Sequence, residues 1–271
     1  MSSKGLNQVD FAVAVAILVL LFAFTLRQVS GYYSPFMQTD DNVELRNRAR
    51  NLASVAFNQE GVPGDWNHEE EFTRPSMGHS IWKVPVKVNN NGSGGTYTVT
   101  VPVEAGETHG RYNAWNESVL AYHNGEPLPT YLEGQGEGFI GSFDVTFEVD
   151  LGEEDQETVY IYYSQDRSVE VDYEDLGTED HPANVTVFSE RSERAVSREK
   201  AELMQEMDPE EIKNYYNIDH GFRMHFSAGE EVFVIGEEAP DGTDVETFSK
   251  SFLYQSENGT VDVVEPSVVV W

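Results

Sequence analysis

Residues 82–103 read WKVPVKVNNNGSGGTYTVTVPV, and the pattern of this stretch decides the fold of the central part of the chain. Apolar side chains occupy every second position on both sides of an Asn-, Gly- and Ser-rich centre, residues 89–95. The apolar positions are Trp82, Val84, Val86 and Val88 before the centre and Tyr97, Val99, Val101 and Val103 after it. A period of two is typical of β-strands with one buried face. We therefore predict a β-hairpin here, with residues 89–95 as its turn.

Further short strands follow on the C-terminal side. Apolar residues alternate over residues 143–151, and β-branched and aromatic residues are dense in residues 158–163 and 169–173. Several short strands separated by Gly- and Asn-containing turns favour two packed antiparallel sheets. We predict a β-sandwich domain over residues 81–188, preceded by a linker over residues 61–80.

The C-terminal segment, residues 189–271, mixes helix and strand signals. Ser189 to Met207 is predicted as a helix. Asp208 is then an N-cap before Pro at the first position of a second helix, which ends near Tyr216. Strands are predicted after it, over residues 222–226, 231–235, 245–254 and 259–271. Helices beside an antiparallel sheet make an α+β unit.

The N-terminal residues carry a helical pattern. Residues 11–26 are an uncharged apolar run, which at about 1.5 Å per helical residue spans most of a bilayer core of roughly 30 Å. After an interruption at residues 30–35, Asp41 and Glu44 form a capping-box pattern before a second helical stretch. Its apolar stripe consists of Leu45, Ala49, Leu52, Ala53 and Ala56. We therefore predict one long, interrupted helix over residues 6–60.

The expected fold class is thus α+β. A long N-terminal transmembrane and assembly helix comes first, and a mostly antiparallel β head, a β-sandwich, follows it. The C-terminal helix-plus-sheet unit completes the chain.

A small-residue site stands before the apolar run instead of behind it. Lys4 and Gly5 precede the run, whereas an ordinary secretory signal has its cleavage site after it. Cleavage after Gly5 would remove residues 1–5 as a leader and leave the helix on the mature chain, with Leu6 first and Asp10 fifth. This arrangement resembles the short leaders, or class III signal peptides, of archaeal type IV pilins.

That resemblance implies processing by a prepilin peptidase and assembly with other pilin subunits through the N-terminal helix. In the family, an acidic residue at the fifth mature position pairs with the freed N-terminal amine of a neighbouring subunit. The resemblance therefore implies that Asp10 acts in assembly and pairs with the amine of Leu6. The same residues also fit a plain signal anchor, with Lys4 on the inner side of an apolar helix. A mere anchor has no need of Gly5 or Asp10.

Three segments within the predicted sandwich carry a second likeness. They are residues 82–90 (WKVPVKVNN), residues 124–131 (NGEPLPTY) and residues 159–163 (VYIYY). Together they resemble a domain family of unknown function that is common in secreted archaeal and bacterial proteins. The resemblance covers about a third of the chain, and it implies an exported domain.

The chain is strongly acidic. Its 271 residues include 48 Asp and Glu against 17 Lys and Arg, a formal net charge of −31. Such a surface excludes nucleic acid and anionic lipid as partners of the acidic part of the chain. It also repels itself in dilute salt, so we infer an extremely halophilic, archaeal source. The absence of Cys excludes disulfides and thiolate metal ligands.

Four Asn-x-Ser/Thr tripeptides could accept glycans. They are centred on Asn91, Asn116, Asn184 and Asn258, and none has Pro in the middle. Glycosylation at such tripeptides occurs on the surface of exported proteins. The four acceptors therefore favour an exported, glycosylated surface.

The sequence contains no recognisable catalytic motif. The seven His residues are scattered, and none has a metal-ligand spacing such as H-E-x-x-H. His68 precedes the acidic run 69–71, which we interpret as solvated surface, and residues 241–244 fit a turn better than a calcium loop. Trp66 and Trp115 could stack on sugars, but they fit core positions better. We predict no enzymatic activity, no cofactor and no metal site.

We expect a structural subunit, minor or adhesive, of an archaeal type IV pilus-like surface filament. The expected location is the cell membrane, as a single-pass protein with an exported C-terminal domain, and then the cell-surface filament. The alternative is a monomeric, membrane-anchored binding protein whose β domain recognises glycans or other cell-surface or host-cell partners. In both cases the membrane is a partner and nucleic acid is not.

The acidic excess predicts salt-dependent stability. Like charges at this density destabilise the folded state in dilute buffer, and molar salt shortens the Debye length to about 3 Å. We expect the melting temperature of the purified chain, followed by circular dichroism, to rise by about 10 °C between dilute buffer and molar KCl, as a gain of about 3 kcal/mol would give. A melting temperature that does not respond to KCl would contradict the halophile inference.

Overall fold

The structure is a computed structural model that describes residues 43–62, 66–69, 71–105, 114–133, 138–174, 176 and 184–271. Of these residues, 48% are in strands and 18% are helical. The chain divides into two units, residues 1–48 and residues 49–271. Of the first unit only residues 43–48 are described, and they are helical.

The described chain is mostly β, so the predicted α+β class is wrong. A long N-terminal helix is not seen among the described residues, and the helices that follow residue 58 are short. They are the 3-10 helix Trp66–His68, α2 (Arg198–Glu206) and α3 (Pro209–Tyr216). The predicted apolar run over residues 11–26 lies outside the described residues.

Within the described part of the chain, each helix is too short or too polar to cross a membrane. The predicted location was a single-pass membrane protein with an exported domain, followed by a cell-surface filament. That prediction is corrected on this finding.

The second unit begins with helical residues 49–58, which we call α1. The apolar stripe of α1 is buried, because Ala49, Leu52, Ala53, Ala56 and Phe57 are each at most 4% exposed. The ring of Phe57 lies 5.8 Å from that of Phe226 and 5.4 Å from that of Phe252. The helix is therefore part of the core of this unit.

The end of α1 is fixed by the segment that leads into the first strand. The Ser76 hydroxyl contacts the carbonyl oxygens of Ala56 and Gln59, and the Met77 N–H donates to Ala56 O at 2.9 Å. A Cβ on Gly78 would lie 2.4 Å from Gln59 O. This close approach of two backbones requires glycine at residue 78.

Seventeen strands are described. In chain order they are β1 (Gly78–Asn89), β2 (Gly95–Glu104), β3 (Ala114–Trp115), β4 (Leu120–His123), β5 (Glu126–Pro127), β6 (Thr130–Glu133), β7 (Phe139–Ile140), β8 (Ser142–Leu151), β9 (Gln156–Ser164), β10 (Asn184–Val187), β11 (Arg191–Ser197), β12 (Phe222–Ala228), β13 (Glu231–Gly236), β14 (Glu246–Ser249), β15 (Phe252–Gln255), β16 (Val261–Val264) and β17 (Ser267–Val270). The largest sheet has the order β16-β15-β11-β1-β9-β4-β5, and β10 also pairs with β1. Two others have the orders β2-β8-β6 and β13-β12-β17-β14, and β3 pairs with β7.

The predicted hairpin of β1 and β2 is wrong, although both strands exist. β1 pairs with β9, β10 and β11, whereas β2 pairs with β8 in a different sheet. Asn90 fixes the path of the chain from one sheet to the other. Its N–H donates to Asp155 O at 2.9 Å, and its Nδ2 donates to Gly152 O at 2.6 Å. Its Oδ1 accepts from the Tyr97 hydroxyl at 2.8 Å. These bonds hold the turn against the loop between β8 and β9 instead of closing a hairpin.

The sheets that contain β1 and β2 enclose one apolar core. The inward side chains of β1, β2, β8 and β9 fill it, and Trp82 stacks on Tyr163 with a ring separation of 5.6 Å. The strands predicted over residues 143–151 and 158–163 are present as β8 and β9. Residues 169–173 are a loop instead of a strand, because the N–H groups of Glu170 and Val171 donate to loop carbonyls at Glu257 and Glu117. Val169 and Val171 of this loop are buried.

The predicted helix from Ser189 to Met207 is a strand followed by a helix. β11 pairs antiparallel with β1 and parallel with β15, and α2 begins only at Arg198. Ser197 is the N-cap, and its side chain accepts from Lys200 N, which places the start of the helix at the end of the strand. The predicted second helix is confirmed as α3, with Asp208 as N-cap and Pro209 in its first turn.

Phe57→Ala tests the burial of α1. The change removes a ring that is 0% exposed and in contact with two others, so we expect a loss of about 3–5 kcal/mol in the free energy of unfolding. Denaturant unfolding in molar salt measures it. Phe188→Ala is the matched control, because Phe188 is 49% exposed. Equal effects of the two changes would contradict the packing of α1.

Asn90→Ala tests the crossing between the sheets. The side chain of Asn90 is 3% exposed and supplies both donors and an acceptor to the turn, so we expect a loss of about 2–3 kcal/mol. Asn91→Ala, at an exposed neighbour, serves as control in protein made without glycans. A loss below about 0.5 kcal/mol for Asn90→Ala would show that the turn does not depend on these bonds.

Candidate functional site

The residues predicted for processing and assembly are not placed by the structure. Lys4, Gly5, Leu6 and Asp10 all lie outside the described residues. Their roles stay predictions from the sequence.

The four predicted glycan acceptors are described, and they lie on separate segments. Asn91 is exposed in the turn between β1 and β2, Asn184 is exposed at the start of β10, and Asn258 is exposed between β15 and β16. Asn116 is half-buried, and its backbone carbonyl accepts from the Tyr173 hydroxyl at 2.7 Å. Asn91, Asn184 and Asn258 are thus separate surface positions, whereas the Oδ1 atom of Asn116 is buried.

The described residues contain one concentration of buried ionisable side chains, and the sequence did not indicate it. His79 lies near the start of β1, Asp166 follows β9, and Lys200 lies in the first turn of α2. All three are buried, and all three line a cavity of ≈ 270 Å³. Glu60 and Asn67 line the same cavity from the segment after α1.

His79 is held in one tautomer by the side chain of Gln255 on β15. His79 Nε2 lies 2.8 Å from Gln255 Oε1. An amide oxygen only accepts, so Nε2 carries the hydrogen and Nδ1 presents a lone pair. Burial lowers the pKa of His79, and the Lys200 charge lowers it further, against the opposite effect of Asp166. The imidazole is therefore neutral at pH 7.

Asp166 presents one bonded and one unbonded oxygen. Asp166 Oδ1 accepts from Ser168 N at 3.1 Å and from Ser168 Oγ at 2.6 Å, which fixes the carboxylate in the turn after β9. Burial alone would raise the pKa of Asp166, but the nearby His79, the positive charge of Lys200 and the Ser168 hydroxyl lower it to about 2. The second oxygen, Oδ2, is 4.0 Å from His79 Nδ1. Asp166 is thus ionised at this contact.

His68 and Glu199 approach Asp166 from the side of α2. His68 ends the 3-10 helix, and its Nε2 lies 3.7 Å from Glu199 Oε2 in the first turn of α2. Asn67 Nδ2 donates to the same Glu199 oxygen at 2.5 Å. One ligand atom of each of His68, Asp166 and Glu199 falls within 4.8 Å of the other two. His68, Glu69 and Glu71 are exposed, in keeping with the interpretation of this run as solvated surface.

Unbonded polar atoms are concentrated at this place. Within the described ranges, eight buried side-chain N or O atoms have no hydrogen-bond partner, and four of them belong to this cluster: Asn67 Oδ1, His79 Nδ1, Asp166 Oδ2 and Gln255 Nε2. Three of these four atoms are acceptors. Because buried polar atoms are normally paired, this concentration sets the cluster apart from the rest of the described residues.

Comparison of the chain with protein-family models, with curated proteins and with solved structures found no match. The site therefore has to be interpreted from its own geometry. That geometry offers imidazole and carboxylate ligands.

Proposed function

We propose that this chain is a structural subunit of a type IV pilus-like filament, with residues 49–271 forming the head of the subunit. The observation that carries the proposal is the burial of α1 in the head, where Ala49, Ala56 and Phe57 are 0% exposed. In a filament whose subunits contact one another through N-terminal helices, the head has to hold its helix firmly. A buried helical stripe meets that requirement.

The end of α1 adds to this support. Ser76 and Met77 bond the last carbonyls of the helix, and Gly78 allows the backbone of β1 to lie against them. Load on the helix therefore passes directly into β1, the strand that three others pair with. Such a connection suits a subunit that is under tension.

The proposal takes its partners from the resemblance of the N-terminal residues to archaeal pilins. A prepilin peptidase would cut between Gly5 and Leu6, and other subunits would contact the freed helix. Asp10 would pair with the Leu6 amine of a neighbour and set the offset between subunits. Ion pairs of this kind set the register of helical assemblies in other proteins.

The alternative, a head that binds glycans, draws less support from the predicted aromatic residues. Trp66 is 3% exposed, and its Nε1 donates to Ser76 O at 2.8 Å, so this ring belongs to the core. Trp115 is half-buried and meets the Phe139 ring edge-on at 5.5 Å. Trp66 therefore offers no free face for a sugar, and the Trp115 ring is in contact with Phe139.

Asp10→Asn tests the proposal in cells that carry a prepilin peptidase and pilus machinery. A charge-assisted pair contributes about 1.5–3 kcal/mol, so its loss should lower the amount of chain in sheared filaments about tenfold or more. Cleavage should be unaffected, and mass spectrometry of both proteins should show Leu6 as the first residue. Asp41→Asn is the control and should assemble at the parental level.

Two results would contradict the proposal. One is a native protein that retains Met1. The other is parental chain that is absent from every filament or multimer.

A further inference from the structure

Three elements that are distant in the sequence bring one possible ligand each to the same point. His68 comes from the 3-10 helix, Asp166 from the turn after β9, and Glu199 from the first turn of α2. His68 Nε2 and Glu199 Oε2 are 3.7 Å apart. Two ligands at about 2.0–2.2 Å from one ion are at most about 4.4 Å apart, so this separation is compatible with a shared ion.

A second, independent observation points to a ligand at this place. Asp166 Oδ2 and His79 Nδ1 are acceptors without a donor, and their side chains are 2% and 6% exposed. They face each other at 4.0 Å beside the cavity. An uncompensated polar atom in such a position costs about 1–3 kcal/mol. A cation beside Asp166 Oδ2 would remove that cost.

The surroundings of these side chains match those of protein metal sites. His79 donates its Nε2 hydrogen to Gln255 Oε1, and Glu199 accepts from Asn67 Nδ2. Hydrogen bonds of this kind orient imidazole and carboxylate ligands toward an ion. The Ser168 hydroxyl does the same for Asp166.

We propose that His68, Asp166 and Glu199 bind a divalent transition metal ion of the Zn²⁺ class, and that His79 faces the same Asp166 carboxylate from the cavity. One imidazole and two carboxylates suit such an ion better than Ca²⁺ or Mg²⁺, which take oxygen ligands. Lys200 and Arg167 also line the cavity, so a diffuse negative potential does not hold the ion. Direct ligation has to hold it.

The site would join α2 to the loops around β9 and α1. His68 follows α1 in the chain, Asp166 extends from the largest sheet, and Glu199 belongs to a helix. An ion at this point therefore cross-links three parts of the head. This role goes beyond the proposed filament function and does not depend on it.

The test is calorimetric titration of the tag-free full chain with Zn²⁺ in molar KCl, with an excess of Mg²⁺ to occupy non-specific acidic sites. We expect one Zn²⁺ per chain and a melting temperature raised by about 5 °C at saturation. His68→Gln and Glu199→Gln should each weaken binding about tenfold or more, as loss of a ligand does. Asp166 is buried, and because its substitution could prevent folding, the test does not include it.

The matched controls are His225→Gln, at an exposed histidine on β12, and Glu206→Gln, at an exposed glutamate near the end of α2. Both should bind Zn²⁺ as the parental chain does. Co²⁺ gives a second readout, because its visible absorption bands report inner-sphere ligands; these bands should appear with the parental chain and be lost with His68→Gln. Binding that is absent, or that stays within about twofold in both site variants, would overturn the proposal.

Discussion

β1 is paired along both edges and buried on both faces, and the second unit is built around this constraint. β9 covers one edge, and β11 and β10 share the other. The neighbouring residues Ile81 and Trp82 belong to two different apolar cores. Because such a strand leaves no backbone group to water, every element beside it has to supply a partner of the right register. The end of α1, which packs against Gly78, has to fit beside this strand in the same way.

The sequence indicated the strands around this centre but not their partners. The period of two in residues 82–103 correctly predicted which side chains are buried, such as Val84 and Val101. It could not predict that β1 and β2 belong to different sheets, because that choice depends on bonds between Asn90 and Gly152, 62 residues apart. β11 was predicted as a helix for a related reason. Its first half is charged and exposed, and pairing with β1 overrides its local preference.

The cluster around Asp166 was beyond sequence-based prediction on physical grounds. Local spacing reveals a metal site only when one helix or loop supplies several ligands. Here His68, Asp166 and Glu199 each come from a different element, and only the packing of α2 beside the largest sheet brings them together. In a chain with 48 acidic residues, nothing in the sequence distinguishes Asp166 and Glu199 from the others. Burial and hydrogen bonding make that distinction.

The order of the largest sheet also has a consequence for the way the protein is made. β1 lies next to β11, and β11 lies next to β15, which is synthesised long after β1. While the ribosome is still translating, β1 has left it without either of its neighbours, and its edges are open to other chains. Sheets built from such distant segments form slowly and expose unpaired strands while they do so. The head therefore completes its folding only after β15 has been synthesised, and until then its newly made chain depends on protection from aggregation.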